Sequence, residues 1–366
     1  MKNTFGQSVS VTLFGESHGA QIGAVIDGLA PGIPVDENYI VSRLDLRRPQ
    51  GRISTARRET DKFCICSGVK DGYTTGTPIC ITIPNADTRS GDYEKMQRAA
   101  RPGHADMTAY FKYHGFEDYR GGGHFSGRIT APLVAAGAIM TSALKAKGIV
   151  IGTHIKNCAG INDRGFSADE AGLRADIGLL ENMSFAVLEG SAEPSMRDAI
   201  TEAANAGDSV GGVLETAVCG VPAGVGEPWF DTVEGILAHA MFSIPAIKGV
   251  QFGAGFGFAD MRGSEANDPM RMRGGRVVTE TNNNGGINGG ITNGMPILFS
   301  CAVKPTPSIS VTQKTVDIIN KEDTDITVGG RHDPAVIHRA RIVVDSMAAL
   351  VLCDALAMRY GTDWLA

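Results

Sequence analysis

Clusters of glycine constrain this chain more than any other feature of its sequence. Of the 366 residues, 47 are glycine, which is about 13% where an average protein has about 7%. They fall in short groups without the three-residue period of collagen. Glycine adopts backbone conformations that other residues avoid, and it lets the main chain approach a ligand closely. The sequence therefore predicts a globular protein with many tight turns and ligand-facing loops.

The first cluster, at residues 15–19, reads Gly-Glu-Ser-His-Gly and follows an alternating apolar and polar stretch at 8–14. That alternation predicts a half-buried strand. The cluster also matches Gly-x-Ser-x-Gly, so a serine hydrolase with Ser17 as its nucleophile is one candidate. A nucleophile elbow turns from a strand into a helix, whereas residues 22–26 predict a second strand. His18 is the other candidate in the cluster, as a proton donor that titrates near neutral pH.

Composition limits the classes of protein that this chain can belong to. Hydrophobic residues make up 43% and charged residues 20%, which is typical of a folded globular chain. The net charge of −6 and the aromatic fraction of 6% disfavour the second alternative, an RNA-binding protein. We expect no nucleic-acid partner and no membrane association, because the chain lacks a signal peptide and an uninterrupted apolar run of membrane-spanning length.

The seven cysteines are scattered and form no Cys-x-x-Cys pair. This pattern argues against a disulfide framework and a zinc ribbon, and it favours reduced thiols in the cytoplasm. No spacing of histidine and cysteine typical of a metal site occurs, so we expect no metal. Without a repeat or a linker that would divide it, the chain is predicted to form a single domain over residues 1–366.

Five arginines occur within twelve residues of this acidic chain: Arg47, Arg48, Arg52, Arg57 and Arg58. They form either a solvated loop or a clamp for a ligand with several negative charges, since guanidinium groups pair with carboxylate and phosphate in a bidentate manner. The sequence leaves both interpretations open.

Two further segments resemble parts of a ligand site. His104 follows a Pro-Gly turn at the start of a predicted helix, where it could donate a proton. Three glycines at 121–123, between Arg120 and Arg128, precede an alanine-rich helical segment, and free backbone N–H groups at a helix start favour an anion. Neither Gly-Lys-[Ser/Thr] nor Gly-x-Gly-x-x-Gly occurs in these loops, so the common ATP and dinucleotide fingerprints are absent.

The C-terminal half adds three loops. Residues 282–294 are mostly Gly and Asn and form either a linker or, as we favour, an ordered ligand loop. Residues 304–309 offer hydroxyl groups and an ammonium group. Asp333 and Pro334 precede a strong helical pattern, which predicts Asp333 as the N-cap and Pro334 as the first helical residue.

Residues 150–230 group no catalytic residue types. From the residues alone, we infer an enzyme that handles phosphate or carboxylate by general acid–base chemistry.

Six motifs in sequence order make the inference sharper. They are Phe-Gly-Glu-Ser-His-Gly at 14–19, Arg-Pro-Gly-His-Ala-Asp at 101–106, Tyr-Arg-Gly-Gly-Gly-x-x-Ser at 119–126, Gly-Gly-Ile-x-Gly-Gly-Ile at 285–291, Lys-Pro-Thr at 304–306 and Arg-His-Asp-Pro at 331–334. Together they resemble the chorismate synthase family from residue 4 to about residue 355.

The resemblance implies an α+β fold, a β-α-β-α sandwich, assembled as a homotetramer. It also implies a lyase that converts 5-enolpyruvylshikimate 3-phosphate to chorismate and phosphate by 1,4-anti elimination, the last step of the shikimate pathway. The family requires reduced FMN, with NADPH as one source of reduction. No reductase domain is appended, so the resemblance favours a separate flavin reductase as a partner.

Site residues follow from the same resemblance. His18 would protonate the leaving phosphate, His104 would protonate the reduced flavin, and Asp333 would assist removal of the substrate proton, with Ser17 and Ser126 as relay partners. Substrate or NADP contacts would come from Arg47 and Arg52. Flavin contacts are implied for His124, Phe125, Ser126, Ala246, Gly289, Lys304, Pro305, Thr306, Pro307, Ser308 and Arg331. The chain departs from many members at His124 and Phe125, which replace Arg-Ser, at Pro245, which replaces Asn, and at Ala335, which replaces Cys.

Overall fold

The computed structural model describes residues 2–49, 51, 53–54, 60–85, 98–329 and 333–366. Its helices are α1 Glu37–Arg47, α2 Asp106–Tyr113, α3 Thr130–Ala146, α4 Glu170–Leu180, α5 Ala192–Asn205, α6 Val233–Phe242, α7 Gly263–Ala266 and α8 Ile337–Tyr360. Short 3-10 segments lie at Arg120–Phe125, Gly127–Ile129, Gly255–Asp260 and Thr362–Leu365.

The strands are β1 Thr4–Phe5, β2 Ser10–Gly15, β3 Gln21–Asp27, β4 Cys64–Ile65, β5 Val69–Lys70, β6 Tyr73–Thr74, β7 Ile79–Pro84, β8 Val150–Cys158, β9 Ile161–Asn162, β10 Gly212–Cys219, β11 Ile247–Phe252, β12 Met270–Arg273, β13 Arg276–Thr279, β14 Ile287–Asn288, β15 Ile291–Thr292, β16 Ile297–Val303, β17 Gln313–Asp317 and β18 Glu322–Ile326. Two five-stranded sheets form, with strand orders β1-β2-β3-β7-β4 and β11-β16-β10-β8-β9. All neighbouring strands in both sheets are antiparallel.

Helices α3 and α8 fill the space between the two sheets. Helix α3 packs on β2, β3 and β7 of the first sheet, and α8 packs on α3 and on β8 and β10 of the second. Both helices are buried along nearly their whole length, because apolar residues surround them rather than forming a single stripe. Helix α4 covers the outer face of the second sheet. The expected β-α-β-α layering is thus confirmed.

The core helix also explains an apolar segment of the sequence. Residues Gly127–Ala146 are long and apolar enough to cross a membrane by length and composition, with a mean hydropathy of 1.4, but 78% of that window is buried inside the protein. It is the only such helix among the residues that the structure describes. Its apolar surface is therefore used for packing between the sheets.

Local sequence accounts for most element boundaries near the site. Asp36 caps α1 by accepting hydrogen bonds from the backbone of Asn38 and Tyr39, as its position before the apolar stripe predicts. Strand β2 ends at Gly15 and pairs with β3 in a hairpin in which Gly15 lies opposite Ile22. The residues at 16–20 therefore lie in the hairpin loop, between two strands of the first sheet.

Candidate active site

The hairpin loop between β2 and β3 carries Ser17 and His18, and other loops fix its position. The Ser17 backbone N–H donates to the Gly123 carbonyl at 3.1 Å. The Asn85 side-chain amide donates to the carbonyls of Glu16 and Gly19, each at 2.9 Å. Ser17 is fully buried, and its hydroxyl has no hydrogen-bond partner among the described residues. A buried hydroxyl without a partner is costly, so this one is available to a ligand or a reacting group.

Three consecutive glycines lie between the loop of Ser17 and His18 and the turn that carries His104. Gly121, Gly122 and Gly123 have φ angles of 59°, 82° and 53°, a left-handed conformation that side chains disfavour. A Cβ on Gly121 would lie 2.2 Å from His18 Cε1 and 2.9 Å from Ser17 Oγ, and one on Gly122 would lie 3.4 Å from His104 Cε1. Neighbouring glycines of one loop thus face the two histidines, and glycine is required where His18 approaches.

His104 precedes α2 and is held by Asp106, the first residue of that helix. His104 Nδ1 lies 2.5 Å from Asp106 Oδ1, and Arg101 binds both carboxylate oxygens of Asp106 at 2.8 Å. Burial acts to raise the pKa of Asp106, but hydrogen bonds from Arg101 and His104 outweigh it and hold that pKa well below its usual range. Arg101 Nη2 also lies 3.0 Å from His104 Nδ1, so Asp106 and Arg101 occupy this nitrogen, and Nε2 lies on the side of Gly122.

The loop at 304–308 packs against the turn that carries His104. Lys304 Nζ donates to the Gly103 carbonyl, and Arg101 Nη1 donates to Ser308 Oγ at 3.1 Å. Burial, followed by the charge of Lys248, lowers the pKa of Lys304. In the same loop, Thr306 Oγ1 is buried with no hydrogen-bond partner in the described part of the chain.

Ala246 joins this group of loops through the backbone. Its φ of 76° is left-handed, which is uncommon for alanine and marks local strain. Its carbonyl accepts from Lys304 N at 2.9 Å. Pro305 and Pro307 belong to the same loop, and Pro307 lies beside Gly103.

Residues 124–126 follow the glycine loop directly. His124 Nδ1 lies 2.8 Å from the Gly15 carbonyl, which places the imidazole on the hairpin loop. Ser126 Oγ accepts from the Arg128 N–H at 3.3 Å and begins the turn before α3. Phe125 is 37% exposed, with its ring edge against Tyr113 at 6.1 Å between centroids.

Arg47 ends α1 in a cluster of charged side chains. Arg47 Nη2 lies 2.8 Å from Asp61 Oδ2, Arg128 donates to the other oxygen, and Arg48 Nε lies 3.8 Å away. Burial acts to raise the pKa of Asp61, but the charges of Arg47 and Arg128 outweigh it and lower that pKa. Three guanidinium groups thus share one buried carboxylate. Arg128 also donates to Asn85 at 3.1 Å, which links the cluster to the hairpin loop.

The prediction that Asp333 caps the C-terminal helix is wrong. Helix α8 begins at Ile337, with Val336 at the cap position, because the Asp333 carboxylate instead pairs with Arg339 of the first helical turn. Burial is the largest effect that lowers the pKa of Arg47, and the charge of Arg339 lowers it further. Asp333 therefore belongs to the electrostatic surroundings of the arginine cluster. Two predicted site residues, Arg52 and Arg331, lie outside the described residues.

Gly289 belongs to a hairpin in the Gly- and Asn-rich segment. It lies in the turn of the β14–β15 hairpin with a φ of 60°, and the next residue, Gly290, accepts from Val233 N at 2.9 Å. No described hydrogen bond links this hairpin to the loops of His18 or His104. The Gly- and Asn-rich segment is nevertheless an ordered hairpin and not a linker, as expected.

Several residues of the site escaped the sequence reasoning. Asp106 and Arg101 lie in the same motif as His104, so spacing alone could have indicated them as its partners. Asn85 and Asp61 carry no such signal, because only the fold brings them to the hairpin loop and the arginines.

The middle of the chain also holds a charged group that the sequence did not reveal. Buried His154 lies 3.0 Å from both Asp163 and Glu215. Burial acts to lower its pKa, but hydrogen bonds to these carboxylates outweigh it and raise that pKa. No group of three or more His, Cys, Asp or Glu side chains that could hold a metal occurs in the described ranges.

Comparison with known proteins identifies the family. The family model described as "Chorismate synthase" matches residues 9–357. Curated relatives named chorismate synthase include those of Thermococcus gammatolerans, 44% identical over 97% of both chains, and Pyrococcus abyssi, 45% identical over 97% of both. A solved structure described as "Crystal Structure of Chorismate Synthase" is 29% identical, with a TM-score of 0.77 over 98% of this chain and 94% of that one.

Proposed function

The chain belongs to the chorismate synthase family and is a lyase, and from this premise we propose that it converts 5-enolpyruvylshikimate 3-phosphate to chorismate with reduced FMN. The observation that supports this most directly is the glycine loop at 121–123, which faces Ser17 and His18 at one residue and His104 at the next. An elimination of phosphate needs a proton donor for the leaving group, and histidine titrates in the right range.

The proposed reaction breaks the C–O bond to phosphate and a C–H bond on the same ring, and it forms one new ring double bond without net oxidation. His18 gives a proton to the departing phosphate, supported by the buried Ser17 hydroxyl. Asp333, positioned by Arg339, assists removal of the ring proton. The arginines clustered at Asp61 are of the residue type that binds phosphate and carboxylate by paired hydrogen bonds, which suits a substrate with one phosphate and two carboxylates.

The described residues fit reduced FMN at the turn that carries His104. Lys304 offers a cation to the FMN phosphate, Thr306 Oγ1 is a buried hydroxyl without a partner, and the backbone at Gly122 presents no side chain to a flat ring. Residues 124–126 and Ala246 line the same region by the contacts given above. When bound, reduced FMN supplies an electron-rich ring that promotes departure of the phosphate. His104, oriented by Asp106, holds a proton at Nε2 on that side.

We further propose a cytoplasmic homotetramer that receives reduced flavin from a separate reductase. Large apolar side chains are exposed at Phe230 (94%), Phe256 (85%) and Met272 (68%), and exposed apolar groups of this size often mark subunit contacts. Light scattering coupled to size-exclusion chromatography tests the tetramer. An NADPH oxidation assay with FMN and substrate tests the reductase, since oxidation without added reductase would contradict the proposed partner.

Two histidine variants test the proposed roles. His18→Ala and His104→Ala should each lower kcat by ~10²-fold or more under anaerobic conditions, since general acid–base groups contribute about that much. His114→Asn is the matched control, because His114 is an exposed residue with a left-handed φ of 59° that Asn tolerates. If both site variants kept the activity of the control, the assignment of these proton donors would be wrong.

The serine hydrolase alternative makes a different prediction. Its nucleophile elbow requires a strand followed by a helix, but the motif here lies in a hairpin between β2 and β3. Esterase activity that disappears in Ser17→Ala would favour that alternative over the lyase.

A further inference from the structure

A cavity that contains none of the proposed proton donors lies where helices α1, α3, α4 and α8 meet the start of β8. Its volume is about 140 Å³, several times the ~15 Å³ that one water molecule needs. The charged side chains that line it are Arg43, Lys145, Arg174, Arg341, Glu181 and Asp345.

Arg341 is the most deeply buried of these charges. It is 2% exposed, and its guanidinium donates a hydrogen bond from Nη2 to the Met183 carbonyl. Its nearest carboxylate, Asp345, lies 3.7 Å from Nη1, which is beyond hydrogen-bond distance. Most of the five N–H donors of this guanidinium therefore lack an acceptor in the described part of the protein.

Arg43 adds a second buried guanidinium to this cavity. It is 7% exposed and donates to three neutral oxygens: the Ser42 hydroxyl at 3.2 Å, the Glu181 carbonyl at 2.7 Å and the Asn182 amide at 2.8 Å. Among the described residues no carboxylate lies within 4 Å of it. A buried cation without a counter-ion is costly, so an acceptor with negative charge would stabilise this arrangement.

The remaining charges do not neutralise the pair. Glu181 forms an ion pair with Lys145, and Arg174 forms one with Glu170. In the described ranges, Asp345 is the carboxylate within 4 Å of Arg341, and it accepts from Thr153 at 2.6 Å. Burial, its largest influence, raises the pKa of Asp345, which weakens its value as a counter-ion. The cavity thus has an excess of positive charge.

We propose that this cavity binds a small oxyanion, a carboxylate or a phosphate group, between Arg43 and Arg341. Guanidinium groups recognise both chemistries by paired hydrogen bonds. The ring of Tyr39, which packs against Arg43 at 4.9 Å, lines the same cavity and gives an aromatic carboxylate additional contact. The site is distinct from the arginine cluster at Asp61, because Arg43 points to Glu181 and Asn182, whereas Arg47, one turn later, points to Asp61.

Titration calorimetry with inorganic phosphate and with benzoate tests the proposal. Arg341→Gln and Arg43→Gln should each weaken the binding of at least one probe by about tenfold or more, since hydrogen bonds to charged groups contribute that much. Arg271→Gln is the matched control: it removes one positive charge from an exposed hairpin and should leave binding unchanged. Equal affinity in all four proteins, or no saturable binding of either probe, would overturn the proposal.

A measurement on the unsubstituted protein covers the case in which a buried variant fails to fold. Crystals soaked in selenate should show an anomalous peak within hydrogen-bond distance of Arg43 and Arg341. Selenate bound only at the arginine cluster of Asp61, with no peak in this cavity, would contradict an oxyanion site here.

Discussion

The substitution Gly121→Ala should show whether the reaction rate depends on the position of His18, independently of the stability of the fold. The added Cβ would lie 2.2 Å from His18 Cε1 and 2.3 Å from His18 Nδ1. Carbon atoms in contact are normally about 3.5–4.0 Å apart, so the imidazole must retreat by more than about 1 Å. A misplacement of about 1 Å can cost ~10²-fold in rate, and we expect kcat to fall by about that factor.

Gly122→Ala is the matched control for backbone strain. Gly122 has a φ of 82° and Gly121 one of 59°, so each substitution should lower the free energy of unfolding by about 1–2 kcal/mol. The Cβ at 122 would lie 3.4 Å from His104, which is close to ordinary contact. Gly122→Ala should therefore lose stability to a similar extent but leave His18 in place, so that with FMN at saturating concentration it keeps more activity than Gly121→Ala.

The assay is anaerobic chorismate formation with chemically reduced FMN, together with thermal unfolding of both variants. A Gly121→Ala variant with the activity of the unsubstituted protein, or an equal loss of activity in the two variants, would contradict this role of His18. Equal loss would mean that backbone strain in the loop, and not displacement of His18, controls the rate.

Three other predictions address single interactions. Asp106→Asn should lower kcat ~10²-fold with little change in KM, because His104 loses the carboxylate that orients it; a change confined to KM would argue against this role. Burial lowers the pKa of His338 to about 4 in the folded protein. As the pH falls, this imidazole is therefore protonated in the unfolded chain before it is protonated in the folded one. The free energy of unfolding should decrease by about 3 kcal/mol between about pH 6.5 and about pH 4. Urea unfolding across that window should show a smaller fall in His338→Gln, and an identical fall would refute the assignment. Lys304→Met should weaken FMN binding by about tenfold, measured by flavin fluorescence, and unchanged affinity would exclude Lys304 from the cofactor site.

Local patterns in the sequence predicted most of the elements that position the site. The alternation before Gly15 predicted β2, and Asp36 marked the start of α1, because strand periodicity and helix capping depend on neighbours in the chain. The prediction that Asp333 caps α8 was wrong because it, too, used only neighbouring residues in the chain. Its capping pattern is local, but Arg339 competes for the carboxylate and the helix begins three residues later than that pattern indicates.

Contacts between distant segments could not be predicted in this way. The pairing of Arg47 with Asp61, the position of Asn85 below the hairpin loop and the buried cavity around Arg341 each depend on how the sheets and helices pack. The resemblance to a known family named His18 and His104 as proton donors. The structure adds the physical reason for the glycines between them: a side chain at 121 would occupy the space of His18.

The measurement that tests the central claim most directly is an anaerobic incubation of the purified protein with chemically reduced FMN and 5-enolpyruvylshikimate 3-phosphate. The account predicts that chorismate and phosphate appear in equal amounts and that reduced flavin is not consumed in proportion to product. Folded protein that binds flavin but forms no chorismate would contradict it, as would product formation that proceeds equally well with oxidised FMN.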